Sequence, residues 1–360
     1  MPKLFGKNIS RQELEKRVSR LEQVAGVRRE TLSGGREDGV KIAQVYTGSG
    51  LRFGVNLSRA MDIHSADFCG RSLCWQSVAG PVAPTYFEPD GIGWLRTFAG
   101  GLITTCGLTY IGDPTMDEGW ELGLHGRIAH IPADKAQISR QWQGEDYVLT
   151  ITGEMVEALP VVGEHVRLTR TITARMGESR FFLQDVVENF GYKSVPHMLL
   201  YHINTGWPLL EENSRIIAPI TKTIPRTDIS LAGANRWDKG EAPQVGFMDQ
   251  DFYHHLGADA DGRVKVAMVN PDLDSGMGLY IGFLHEQLPR LVEWKLCGAG
   301  TYVIATEPAN CWVEGRAVSR AQKDLIFLEP GESRRYDLEF GVACGPEALA
   351  ELESEIRALG

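Results

Sequence analysis

The sequence predicts a large antiparallel β-sandwich, and three observations lead there. Short runs of alternating apolar and polar residues recur along the chain. Glycines and prolines punctuate those runs at turn-like intervals. Few helical patterns separate them, so the crossover helices of a parallel sheet are missing. With 360 residues, 43% of them hydrophobic and 23% charged, the chain has a globular balance and length enough for a large core. No internal repeat or low-complexity linker divides it. The expected organisation is a helical extension over 1–30 followed by one β domain over 31–360.

The elements follow in order. Ser10 and Glu13 have the spacing of a capping box, and Leu14, Val18, Leu21 and Ala25 recur at helical intervals. Residues 10–25 are therefore expected to be helical, with Gly26 as the stop. Leu51, Phe53, Val55 and Leu57 alternate with Arg52, Gly54 and Asn56, which predicts a strand. Residues 77–122 hold Pro81, Pro84, Pro89, Pro114 and many glycines among aromatics, and are read as long loops over one face of the sandwich. Val166, Leu168 and Ile172 alternate with polar neighbours, as do Tyr336, Leu338, Phe340 and Val342. Further strands are expected near 40–46, 136–142, 147–155, 181–189, 196–204, 264–269, 279–283, 291–295 and 302–307. After Gly345-Pro346, the apolar residues Leu349, Leu352, Ile356 and Leu359 mark a closing helix.

Charge and motif content remove several function classes. A formal charge of −10 with no basic cluster disfavours nucleic acid as a partner. The N-terminal stretch lacks the apolar run of a secretory signal, and no segment approaches the roughly 18 apolar residues of a membrane span. The cytoplasm is the expected location, with no membrane partner. The six cysteines form no CxxC pair and read as reduced, mostly buried thiols. No P-loop, dinucleotide fingerprint or serine-hydrolase elbow occurs. His285-Glu286 opens like a zincin motif, but Leu288-Pro289 breaks it.

Four segments concentrate the polar residues that could carry chemistry. The first, 123–132, holds His125 between glycines that would let a ligand approach, with Arg127 and His130 beyond it. The second, 198–210, places His202 and Asn204 on one face of a strand. The third, 291–311, ends the apolar run Tyr302–Thr306 in Glu307, a carboxylate whose one-sided desolvation raises its pKa toward that of a useful base. Trp294, a candidate sugar platform, and Lys295 precede it. The fourth, 87–102, offers Glu88, Asp90, Trp94 and Arg96. Asp62 and the group Asp249, Asp251, His254 and His255 are further candidates. Adjacent histidines on a strand point to opposite faces, so no metal site is expected there or elsewhere.

At these residues the chain resembles the aldose 1-epimerase (galactose mutarotase-like) superfamily. The ordered set carries the resemblance: Leu124-His125-Gly126, His202, Glu307, then Pro330-Gly331-Glu332. It spans roughly residues 40–342. The resemblance implies a supersandwich with short terminal helices, a small sugar as substrate and no cofactor. It also implies His202 as the acid that protonates the ring oxygen and Glu307 as the base at the anomeric hydroxyl. His125, Arg96, Asp249 and Asp251 would hold substrate, with Lys295, Trp94, Glu88 and Asp62 as further binding candidates. Tyr201 stands where the family usually has asparagine before the histidine. A non-catalytic carbohydrate-binding protein, or a lyase or glycoside hydrolase on the same fold, are the alternatives.

Overall fold

The computed structural model describes residues 1–359. Strands make up 47% of the chain and helices 15%, as a mainly β sequence requires. Among the described residues, three large antiparallel sheets carry the fold. An eight-stranded sheet runs in the order Asp134–Gln143, Asp146–Ala158, His165–Arg175, Arg180–Asn189, Ser333–Cys344, Met277–Leu284, Arg263–Asn270, Arg215–Ile217. A seven-stranded sheet runs Ile220–Pro225, Gln250–Leu256, Arg290–Gly298, Thr301–Ala309, Val195–Gly206, Ile326–Leu328. Its seventh strand, Thr104–Leu108, also pairs with Val195–Gly206. The third sheet has five strands from the N-terminal region, Gly26–Thr31 to Arg71–Ser72.

One hydrophobic core joins all three sheets: Phe53 and Val55 from the five-stranded one, Phe181 and Leu338 from the eight-stranded one, Tyr201 and Ile304 from the seven-stranded one. Strands of the eight-stranded sheet show why their alternation was so clear. His165–Arg175 and Arg180–Asn189 bury every second residue and leave the others half-buried. A polar network pins the layers together. Arg170, fully buried, bonds Asp185 at 2.7 and 2.8 Å, Asp62 at 2.8 Å and the Thr105 hydroxyl at 2.8 Å. The Tyr201 hydroxyl donates to Asp185 at 2.7 Å and so ties the seven-stranded sheet to the eight-stranded one. A buried arginine is tolerated here because two carboxylates and a hydroxyl satisfy it.

The N-terminal region is less helical than its periodicity suggests. The helix is only Arg11–Glu15, capped by Ser10 Oγ accepting from the Glu13 amide at 3.2 Å. A 3₁₀ turn at Leu21–Gln23 follows, and Gly26–Thr31 is an edge strand paired to Lys41–Tyr46. So short a helix is marginal by itself; Leu14 docks it onto the main core. The closing helix, Pro346–Arg357, buries Leu349, Leu352 and Ile356 against Val269 and Ala267. Among the described residues no helix is long and apolar enough to cross a membrane. Of the cysteines, Cys74, Cys106, Cys297 and Cys311 are buried, Cys69 and Cys344 are exposed, and all are free thiols.

Candidate active site

The strand Val195–Gly206 is buried on both faces, and this creates the site. Leu199, Tyr201 and Ile203 face the main core. Met198 and Leu200 face the other way, into a second apolar cluster with Trp94, Phe98, Tyr110 and Leu124. Those four come from segments over 77–130 that lie across the outer face of the sheet; the stretch 77–122, expected as loops throughout, also contains the sheet strand Thr104–Leu108. By alternation His202 and Asn204 share the outer face with Met198 and Leu200.

Strand register brings the other residues to them. Ile203 pairs with Thr306 and Leu200 with Ala309, which sets His202 opposite Glu307. Glu307 pairs with Val292, and Val292 with Tyr253. In the next same-face row, Asn204 pairs with Ala305, Ala305 with Trp294, and Trp294 with Asp251. Directly opposed residues share a face. One surface thus presents His202, Glu307, Asn204, Trp294, Tyr253 and Asp251.

His202 Nε2 lies 3.1 Å from Glu307 Oε1, with both side chains almost wholly buried. The approach is close but not aligned as a hydrogen bond, and Glu307 Oε1, His202 Nδ1 and Asn204 Oδ1 are all left without partners. Buried polar atoms rarely stay unpaired, and a cluster of them marks where polar groups of a ligand fit. Burial pushes His202 down to about 3, and the nearby His125 adds to the shift. Burial also lifts the Glu307 carboxyl well above the ordinary range, with Asp251 and Glu293 adding to it. At neutral pH the imidazole is therefore neutral, and the carboxyl beside it keeps its proton to a higher pH than an exposed glutamate does.

Aromatic rings wall the pair. Phe98 and Trp294 meet the His202 ring edge-on at 5.1 and 5.6 Å, and Trp75 lies 6.3 Å from Trp294. His125 is 6.4 Å from His202 by ring centroids, and Trp94 stands edge-on to it at 5.0 Å. The Gly112 amide donates to His125 Nδ1 at 3.4 Å, which leaves Nε2 as the protonated nitrogen. Burial pushes His125 down to about 4. The glycines beside it serve chain packing rather than ligand approach. Gly126 sits at φ +76, and a Cβ there would collide with the carbonyls of Gly107 and Tyr110. A Cβ at Gly123 would strike the Pro89 carbonyl.

Arg226, directly after the strand Ile220–Pro225, joins the site from one side. Its three nitrogens reach Glu314 at 3.2 Å, Asp251 at 3.4 Å and Asp113 at 3.0 Å. It so links the covering loop, through Asp113, to the sheet.

The structure gathers His125, His202, Glu307, Asp251 and Trp94 and places the other candidates elsewhere. Arg96 pairs with Glu88 at 3.0 Å on the outside of the loop, with side chains 71% and 60% exposed. Asp249 is exposed ahead of the strand Gln250–Leu256. Asp62 belongs to the Arg170 network behind Thr105. Lys295 is fully buried on the opposite face from Trp294, its ammonium ion-paired with Glu241 at 2.7 Å and donating to the carbonyls of Arg236 and Lys239. His130 is held by Arg59 and Thr97 and stacks on Phe87. His254 faces inward onto Glu293 at 3.0 Å, and His255 faces outward near Trp312, as adjacency on a strand demands. Among the described residues no three His, Cys, Asp or Glu side chains are placed to share a metal ion. Sequence reasoning missed Arg226, Asp113, Trp75 and Phe98. Pro225 and Pro114 beside the first two were the available turn signals.

This sheet arrangement is that of the mutarotase fold. The chain belongs to the family described as "Domain of unknown function (DUF4432)", which matches residues 37–342. It is similar in structure to a Klebsiella pneumoniae protein provisionally described as an aldose 1-epimerase. That likeness has 26% identity and a TM-score of 0.88, and covers 94% of this chain and 90% of that one. A galactose mutarotase-like protein from Clostridium acetobutylicum (11% identity, TM-score 0.59, 89% and 99% covered) shares the fold. So does a galactose 1-epimerase from Lactobacillus acidophilus (11%, 0.58, 89% and 100%). No protein with curated annotation matches the chain.

Proposed function

We propose that the chain is a carbohydrate isomerase that interconverts the anomers of a free sugar at the His202–Glu307 pair. The observation that carries this reading is the buried acid–base pair with three orphaned polar atoms under aromatic walls. Anomer interconversion needs one proton donor and one acceptor across a sugar ring and no cofactor. The Klebsiella pneumoniae neighbour, provisionally described as an aldose 1-epimerase, points to the same chemistry.

The 3.1 Å approach of Glu307 Oε1 to His202 Nε2 gives the reaction its first step. In the form with Glu307 protonated and His202 neutral, the proton passes from Oε1 toward Nε2 when a polar sugar enters and solvates the charges. His202 then protonates the ring oxygen while the Glu307 carboxylate takes the proton of the anomeric hydroxyl. The C1–ring oxygen bond breaks to give the open aldehyde. Rotation about C1–C2 and reclosure on the other face return both protons, and the pair is restored. Trp75 and Trp294, both partly exposed, offer ring faces to the apolar side of a sugar. His125 Nε2–H and Asp251 supply a hydroxyl donor and acceptor.

The test is a panel of free aldoses, with anomeric exchange followed by NMR at equilibrium. Acceleration over the spontaneous rate for at least one sugar is expected. No acceleration for any aldose, with sugar binding intact, would leave the non-catalytic binding protein as the better reading.

A further inference from the structure

The covering loop has a second side. His125 points from it toward His202, while the far surface of the same loop, from Gly123 to Ile131, lines a cavity of about 670 Å³. The hairpin Thr115–Asp117/Trp120–Leu122 and the tip of the Asp146–Ala158 hairpin close its other sides. None of His202, Glu307, Asp251 and Trp294 lines it. The volume is in the usual range for a small-ligand site.

Its floor holds two buried charged side chains. Arg316, 8% exposed, is fixed by Asp117 at 2.6 Å through Nε and by the Thr109 carbonyl at 3.4 Å through Nη1, which leaves Nη2 without a hydrogen bond. Glu157, 3% exposed, accepts from the Thr109 hydroxyl at 2.7 Å and the Leu108 amide at 3.1 Å. Burial pushes its carboxyl up to about 7, so near neutrality it can donate as well as accept.

The mouth is mixed in charge. Among the described residues Arg127 and Lys193 form no ion pair, and neither do Asp90, Glu121 and Glu164. Two free cations against three free carboxylates give a phosphate or carboxylate ligand no net attraction. Donors and acceptors interleaved in this way suit a ligand rich in hydroxyls. Trp120, 48% exposed, stands at the rim with an apolar ring to offer.

We propose that this cavity is a binding site for an uncharged saccharide, separate from the His202–Glu307 pair, with Trp120 as the stacking platform and Arg316 and Glu157 reading hydroxyls at the floor. It needs no catalysis at His202.

The experiment uses the full chain with methyl β-D-galactoside and maltose as probes, and the protein soaked with each in crystals. The methyl glycoside has no free anomeric hydroxyl and cannot be turned over. Saturation-transfer NMR and calorimetry are compared for wild type, Trp120→Ala, Trp120→Phe and His202→Asn. Saccharide in the cavity is expected. Trp120→Ala weakens that binding by at least about tenfold, as loss of an aromatic anchor does. Trp120→Phe restores most of it, and His202→Asn changes it by less than about twofold because the sites share no partner. Binding unaffected by Trp120→Ala, sugar found only beside His202, or no binding of either probe would each overturn the proposal. Sugar in the cavity of a protein that exchanges no anomers would uphold it and refute the isomerase reading instead.

Discussion

Replacing Glu307 by glutamine is expected to stabilise the protein, and by more as the pH rises. Glu307 is 3% exposed, its Oε1 has no aligned hydrogen bond, and Asp251 on the same face and Glu293 on the other act on it with like charge. Desolvation, then those neighbours, raise its folded pKa well above the ordinary value of 4.5. Between the unfolded and folded values the native protein keeps a proton that the unfolded chain has lost. Wild-type stability from this group is therefore full below the unfolded pKa and falls as pH rises toward the folded one. The fall is about 1.4 kcal/mol for each pH unit. Glutamine keeps the shape and does not titrate, so the stability gap between variant and wild type widens by that slope until the native carboxyl itself ionises. Urea unfolding of both proteins at a series of pH values from weakly acidic to weakly alkaline reads the gap directly. A gap independent of pH would show that Glu307 titrates as in the unfolded chain, and the argument from its desolvation would fail.

The buried histidines make the opposite demand on pH. Burial holds His64, His125 and His197 down to about 4, His202 and His254 to about 3, and His130 to about 2. Their contribution is present above the unfolded value of 6.5 and is lost as pH falls toward those values. Circular dichroism should show cooperative acid unfolding with uptake of several protons, starting above about pH 5; a native spectrum retained at about pH 4 contradicts this. Asp185→Ala strips Arg170 of its bidentate partner and should cost about 3–5 kcal/mol by urea unfolding; a loss below about 1 kcal/mol would mean the network is not what ties the sheets. Lys295→Met should lower the melting temperature by removing the 2.7 Å partner of Glu241 and leaving it only Arg236 at 3.7 Å, yet leave anomeric exchange per folded molecule within about twofold of wild type. A selective loss of exchange would return Lys295 to the site.

The strands with one buried face were the clearest to read in the sequence, while Val195–Gly206 and Thr301–Ala309, buried on both faces, showed only as apolar runs. His165–Arg175 and Ser333–Cys344 keep a clean period of two because core and solvent impose it. Ile220–Pro225 escaped notice, and Gln250–Leu256 entered only as the strand carrying adjacent histidines, because Asp251, His254 and their neighbours put polar groups on both faces, one toward the candidate site and one toward Glu293. Asp62–Phe68 was hidden for a similar reason, its Asp62 buried by Arg170 and Thr105. His202 and Glu307 stood out as polar residues in apolar runs. That they face each other depends on the register of Val195–Gly206 with Thr301–Ala309, which composition does not encode. Trp294 and Lys295 were equally plausible as neighbours; strand alternation puts only one of them on the outer face. Arg226 looked like any arginine, and only the folded loops give it three carboxylates.

The central claim is that His202 and Glu307 act as one acid–base unit on a sugar ring, and the most direct test is their double-mutant cycle. Anomeric exchange of an accepted aldose is measured by NMR for wild type, Glu307→Gln, His202→Asn and the double variant, with sugar binding followed separately by calorimetry. Each single change should slow exchange by about 10²–10⁴ with little effect on binding. The double variant should be scarcely slower than either single one, because both residues serve one transition state. Near-normal exchange in Glu307→Gln, or losses that multiply in the double variant, would contradict the account.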